Sequence, residues 1–139
     1  MLTDNALHLL TLPDRYGAPL SDYYFCAEHA LLYVRWHGQL TAAEVIRGVQ
    51  VGAQWRGQYV FERVLNDKRD AGGDWSDALP WLQYEWLPQA TGIRAMAYVL
   101  SPDLDGRTVS QEFMAAAQEY MRVALFTDED EALAWLLAH

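Results

Sequence analysis

The order of apolar segments along the chain constrains its fold more than any other feature. Residues 23–27 and 31–37 are rich in aromatic and β-branched side chains and are separated by a short connection, which predicts a β-hairpin. After the hairpin, strand-like segments alternate with segments whose apolar residues recur at helical spacing. Connections of this kind join parallel strands through right-handed crossovers. The sequence therefore predicts an α/β fold, with a mixed, mostly parallel sheet of four or five strands and about four flanking helices.

Local patterns place the individual elements. Thr41 and Glu44 form a capping-box pair that predicts the start of a helix. In the second hairpin strand, Leu32, Val34 and Trp36 share one fully apolar face. The predicted elements after the hairpin are a helix over 41–57, a strand over 59–65, a polar loop over 66–76, a helix from Asp77, a strand over 94–100, a turn over 101–109, a helix over 110–121, a strand over 123–126 and a last helix with Thr127 as its N-cap.

Residues 1–22 have a different character. A short apolar stretch there is followed by Pro13, Gly17 and Pro19, which favour turns over a long element. We therefore predict an N-terminal extension over residues 1–22 and a single domain over 23–139.

The charge balance narrows the expected partners. Nineteen acidic side chains stand against ten basic ones, a formal net charge of −9, so the surface repels phosphate backbones and anionic lipids. We expect neither nucleic acid nor a membrane as a partner, and no apolar run is long enough to cross a bilayer. Cys26 is the only cysteine, which excludes a disulfide or a redox pair within one chain. The start of the sequence lacks a secretory signal pattern, so we expect a cytoplasmic location.

Several segments together resemble a bacterial family. Residues 81–90 have the form W-L-x-x-E-W-L-P-x-A, and Asn66-Asp67-Lys68-Arg69 precede them at the end of a strand. With the apolar strand at 32–36 and the segment 126–136, they are similar to uncharacterised bacterial proteins of the SpoIIAA-like, STAS-domain kind over residues 22–137. The resemblance implies a mixed sheet flanked by helices, and a non-enzymatic interaction or regulatory domain.

The resemblance also implies a candidate phosphorylation site. STAS antagonists of sigma-factor regulators bind a kinase partner and are switched by phosphorylation of a serine at the start of the helix after a central strand. The serine at this place is Ser76, although the family's Asp-Ser-Ser-Gly motif is absent. From the residues alone, Ser76 also fits the N-cap of a helix that tolerates Pro80 in its first turn.

The helix predicted after the third strand carries two apolar stripes. At about 100° per residue, one stripe contains Leu79, Leu82, Trp86 and Ala90, and the opposite side contains Trp81, Tyr84 and Pro88. A helix on a sheet buries only one stripe against it. The second stripe is therefore a candidate partner or dimer surface, unless the N-terminal extension covers it.

In open α/β sheets, ligands bind beside the carboxyl ends of the strands. The predicted loops there carry Asp67, Lys68, Arg69, Asp70 and Asp103, which are candidate ligand-side residues. Carboxylates at this edge could hold magnesium, but solvated loop acids are the commoner outcome, so we predict no metal site and no cofactor. The histidines show neither metal-ligand spacing nor a nucleophile motif, so no catalytic residue is predicted.

Three functions remain open at this point. The first is the STAS-like interaction or regulatory domain, with self-association as a homodimer as one form. The second is a carrier of a small apolar ligand, as in lipid-transfer proteins of the CRAL-TRIO kind, which predicts a cavity of a few hundred cubic ångströms lined by Trp and Tyr. The third is a metal-dependent enzyme that uses the acidic strand ends.

Overall fold

One six-stranded sheet organises the computed structural model, which describes residues 2–101 and 111–139. Its strands are β1 (Leu7–Pro13), β2 (Pro19–Cys26), β3 (Leu31–Gln39), β4 (Arg63–Gly72), β5 (Ala95–Val99) and β6 (Arg122–Phe126). The strands follow each other in chain order across the sheet. β1, β2 and β3 are antiparallel neighbours, whereas β3 to β6 run parallel. The predicted mixed, mostly parallel α/β sheet is confirmed, with six strands instead of four or five.

The additional strand comes from the N-terminal residues. β1 pairs with β2 from Leu7 opposite Phe25 to Pro13 opposite Pro19. The separation of residues 1–22 as an extension is therefore wrong for β1 and for the start of β2. Pro13 ends an edge strand, where its missing N–H costs no ladder hydrogen bond, and Gly17 adopts φ +87° in the turn. The turn residues join two strands of the sheet and do not break up one element.

Four helical segments accompany the sheet. They are α1 (Ala42–Gln54), an irregular helix over residues 76–89 that contains the single α-helical turn α2 (Leu79–Trp81), α3 (Gln111–Gln118) and α4 (Glu129–Leu137). Thr41 and Glu44 form the predicted capping box of α1. α4 is capped by Asp128, whose side chain accepts from the N–H of Glu131, and not by Thr127. None of the helices in the described ranges is long and apolar enough to cross a membrane.

The sheet buries different residues on its two faces. α1, the irregular helix and α3 cover the face that carries Leu32, Val34 and Trp36, as the alternation along β3 predicts. α4 covers the other face, where Leu31 and Tyr33 contribute to a smaller core. The larger core is therefore formed between the sheet and the three crossover helices.

Strand β4 is longer than predicted. It continues through residues 66–72, which the sequence assigns to a loop. Asp67, Lys68, Arg69 and Asp70 consequently lie in a central strand, where successive side chains normally point to opposite faces. The pairing with β3 shifts register between Asp67 and Asp70, which interrupts this alternation before Asp70. Asp103 and the predicted turn from residue 102 onward lie outside the described residues.

Candidate ligand-binding cavity

A cavity of about 250 Å³ lies in the larger core, between the sheet and the crossover helices. Its wall is largely apolar and rich in aromatic rings. The rings most relevant to its chemistry belong to Tyr23, Trp36, Trp75, Trp86 and Tyr98. A concave, largely apolar space with few polar groups is the usual form of a small-molecule site.

Lys68 is the charged residue at the inner wall of this cavity. Along β4, Val64, Asn66 and Lys68 alternate onto the cavity side, because strand side chains repeat every second residue. Lys68 is the only lysine in the chain, and only 3 % of its surface is exposed. Fully buried lysines are rare in proteins unless they are paired.

Three aromatic rings surround the Lys68 ammonium. Its Nζ lies 4.1 Å from the ring centre of Trp75, 5.4 Å from Trp36 and 5.5 Å from Tyr98. A cation this close to a ring is attracted to the negative ring face. The described residues offer Nζ no hydrogen-bond acceptor and no carboxylate, and burial lowers the pKa of Lys68 from 10.5 to about 7. The arrangement leaves an ammonium group that aromatic rings stabilise only in part.

Local structure holds two of these rings in place. The indole Nε1 of Trp36 donates to Oδ1 of Asn66 over 3.0 Å inside the core. Trp75 follows a tight turn in which Gly73 adopts φ +96°, and a Cβ there would lie 2.5 Å from the backbone oxygen of Leu40. Only glycine fits this turn, which brings Trp75 from the end of β4 back over Lys68.

Two glycines of α1 leave room for the cavity. Gly48 and Gly52 lie on the helix side that faces the sheet. A Cβ on Gly48 would lie 2.5 Å from the ring of Trp36, whereas a Cβ on Gly52 would meet nothing closer than Tyr23 at 3.7 Å. The Tyr23 hydroxyl donates to the Gly48 carbonyl over 2.6 Å and accepts from Ser21, and burial raises the pKa of Tyr23 to about 12. Each helical glycine costs about 1 kcal/mol relative to alanine. The close approach of Trp36 at Gly48 and the space beside Gly52 are therefore obtained at the expense of helix stability.

The cavity meets solvent between the end of α1 and the end of the irregular helix. Of the lining residues, Ala53 and Gln89 are exposed, and Arg56 and Trp86 are half-buried. Nη1 of Arg56 donates to the backbone oxygen of Gln89 over 3.3 Å, so this side chain spans the opening. The cavity therefore has one cation at its inner wall and a second one at its mouth.

The opposite face of β4 carries a closed network of polar groups. Asp67 is 1 % exposed and accepts from the Tyr33 hydroxyl at 2.5 Å and from the Arg69 guanidinium at 2.6 and 2.9 Å. Burial raises the pKa of Asp67, but the hydrogen bonds from Arg69 and Tyr33 outweigh this effect and hold the pKa below its usual value. Arg69 also lies 3.5 Å from Glu129 in the first turn of α4. The network joins α4 to the sheet and leaves the Asp67 carboxylate no free coordination site.

The remaining predicted site residues lie apart from the cavity. Ser76 is exposed and is the first residue of the irregular helix. Its backbone N–H donates to the Asp74 side chain over 3.0 Å. The predicted N-cap role of Ser76 is therefore wrong, because Asp74 and not Ser76 supplies the side-chain acceptor at this helix start. Asp70 forms an exposed ion pair with Arg35 at 2.6 Å. No group of His, Cys, Asp or Glu within residues 2–101 and 111–139 is arranged to hold a metal ion.

The second stripe of the irregular helix is only partly open. Tyr84 is 71 % exposed and Pro88 is exposed, whereas Trp81 is half-buried and packs against the larger core. The chain itself thus covers part of this stripe.

The sequence places Lys68 in a strand-end loop and, under the carrier hypothesis, predicts a cavity of a few hundred cubic ångströms lined by Trp and Tyr. The structure has a cavity of about 250 Å³ with Trp and Tyr in its wall, and Lys68 lies in that wall within strand β4. Two features of the sequence set Lys68 apart. It is the only lysine, and it follows Val64 and Asn66 at every second position, which is the spacing of side chains on one face of a strand. Gly48 and Gly52 repeat at helical spacing on one side of α1, which marks a place where that helix leaves space. Comparison of the chain with protein-family models, with curated proteins and with solved structures gave no match in any of the three.

Proposed function

We propose that the chain binds a small, largely apolar ligand in the cavity between the sheet and α1. The observation that carries this proposal is a space of about 250 Å³ with aromatic walls. It exceeds the roughly 150 Å³ of an apolar cavity that binds benzene, and it lies near the lower end of ordinary ligand sites. A ligand with one ring and a short chain fits this size.

The construction of the walls supports a binding role. Well-packed cores hold few voids larger than a water molecule, and a void of this size forfeits contacts and stability. Here the void adjoins helical glycines and a buried lysine, each of which is itself unfavourable for stability. Such features are concentrated at functional sites.

The proposal can be tested with a neutral probe such as 2-phenylethanol. Binding at about 100 times the Kd should stabilise the folded protein by about 2.7 kcal/mol and raise its Tm accordingly. Gly52→Leu places a side chain into the cavity and should abolish the rise. Gly57→Leu adds the same atoms at a glycine whose Cβ would meet nothing within 4 Å, and it should leave the rise intact.

Calorimetric titration of the same variants gives the affinity directly. Equal binding by wild type and Gly52→Leu would place the ligand elsewhere. Absence of binding by the wild type to this and other one-ring probes would remove the proposal.

A STAS-like interaction domain is a second proposal, supported by the resemblance and by the 71 % exposure of Tyr84 on the irregular helix. Tyr84→Asp leaves the core intact, so it should reduce self-association without unfolding the chain. Light scattering after size-exclusion chromatography would show this. A monomer in both wild type and variant would leave this surface without a role in self-association.

A further inference from the structure

The charges of the cavity wall differ from those of the whole chain. The chain carries 19 acidic and 10 basic side chains, yet the described residues that line the cavity include two cations, Lys68 and Arg56, and no acid. The described lining therefore contributes only positive side-chain charge to this low-dielectric space, although the protein as a whole is strongly negative.

No counter-charge lies beside the inner cation among residues 2–101 and 111–139. Lys68 Nζ has three aromatic rings around it, and no described residue supplies a carboxylate or a carbonyl oxygen to it. A buried charge without a partner is unfavourable, and an anion brought by a ligand would convert it into a hydrogen-bonded ion pair. The apolar wall around this ammonium would at the same time receive the rest of the ligand.

We infer that the ligand is a small carboxylic acid with a one-ring apolar body, whose carboxylate pairs with the Lys68 ammonium at the inner wall. This inference rests on the proposed function, namely that the cavity binds an apolar ligand. A carboxylate carries one charge and matches one buried ammonium. A phosphate monoester brings nearly two charges and three acceptor oxygens, more than a single fully buried cation satisfies. Arg56 at the mouth favours entry of an anion over entry of a cation.

A series of probes with one skeleton tests the inference on the unchanged protein. We would titrate 3-phenylpropanoic acid, its amide and 3-phenylpropylamine by calorimetry at pH 6.5, with 2-phenylethyl phosphate as a further anion. The acid should bind at least about tenfold more tightly than the amide, a difference of about 1.4 kcal/mol, and the amine should bind most weakly.

Variants assign the preference to one side chain. In Lys68→Met, the acid and the amide should bind within about threefold of each other, because the variant keeps the apolar wall and removes the charge. Arg15→Met removes one exposed positive charge at a residue that does not line the cavity, and it should retain the full preference for the acid.

The outcomes separate the inference from the proposed function. If acid, amide and amine bind equally, the cavity binds apolar ligands but the acid preference is wrong. Tighter binding of the phosphate than of the carboxylate would contradict the carboxylate class. If none of the probes binds, both the inference and the proposed function fail.

Discussion

Replacement of Lys68 by methionine should make the ligand-free protein more stable at neutral pH, although it changes a fully buried residue. Methionine has a similar length and no charge, so it keeps the packing against the three rings and removes the buried ammonium. Most core substitutions have the opposite effect. The direction of the change is therefore diagnostic of an unpaired buried cation.

The magnitude follows from the pKa of Lys68. A decrease from 10.5 to about 7 means that burial of the protonated form costs about 5 kcal/mol. At pH 7, where about half of the folded molecules have released this proton, the variant should therefore be more stable by about 4 kcal/mol, which raises the Tm of a chain of this size by about 15 °C.

The gain should depend on pH in a defined direction. Below pH 7 the folded and unfolded forms both hold the Lys68 proton, so the cost is complete. Between pH 7 and 10.5 the folded protein releases the proton while the unfolded chain retains it, so wild-type stability rises relative to the variant. From pH 7 to pH 9 the advantage of Lys68→Met should shrink by about 2 kcal/mol. Measurements should stop at pH 9, because raised pKa values of Cys26 and Tyr23 lower the stability of both proteins above it.

Urea denaturation followed by tryptophan fluorescence and circular dichroism at both pH values measures these changes. Arg15→Met is the control: it makes the same change in net charge at an exposed site and should alter stability by less than about 0.5 kcal/mol at either pH. A Lys68→Met variant that is less stable than wild type at pH 7, or whose gain does not change by pH 9, would refute the reasoning, because it would mean that the ammonium has a buried partner.

Three further predictions concern the walls of the cavity and the opposite face of β4. Gly48→Ala should destabilise the protein by about 1–3 kcal/mol in urea denaturation, because its Cβ would overlap the ring of Trp36; a neutral or stabilising effect would contradict the close packing. Gly52→Ala should stabilise it by up to about 1 kcal/mol, since the new Cβ meets no close atom and glycine is a poor helix former; a loss of stability would show that the helix is tighter there. Asp67→Ala should cost about 3–5 kcal/mol, because it leaves the Arg69 guanidinium and the Tyr33 hydroxyl without their acceptor; a loss below about 1 kcal/mol would show that the network adds little.

Features that depend on neighbouring residues were predictable from the sequence. The capping box at Thr41 and the alternation along β3 each involve side chains within a few positions, so the start of α1 and the two faces of the hairpin strand follow directly. The strand and helix alternation gives the parallel half of the sheet for the same reason.

Strand β4 shows why the rest of the fold was not predictable. Its Asn-Asp-Lys-Arg-Asp run has the composition of a loop, because charged residues are depleted in strands. Partners on other elements stabilise the strand: Tyr33 donates to Asp67, and Trp36 and Tyr98 lie around Lys68. No local pattern reveals contacts between residues 30 or more positions apart in sequence.

The cavity itself depends on tertiary packing. Its volume depends on how closely α1 approaches Trp36 and Tyr23, and the two glycines that set this distance are ordinary helix residues by sequence. Pro13 and Pro19 have the composition of a break for a similar reason: only the pairing of β1 with β2 shows that Pro13 ends one strand and Pro19 begins the next.

The most direct test of the account uses the fact that Lys68 is the only lysine. Protein labelled with ¹³C at lysine Cε gives a single NMR signal, whose chemical shift reports the protonation of this one amine. At pH 8 we predict a signal displaced toward the neutral form, which moves to the protonated position in a saturable way as 3-phenylpropanoic acid is added and does not move with the amide. A signal that already titrates near the ordinary lysine pKa of 10.5 in the free protein, or that stays in place at saturating acid, would contradict the account.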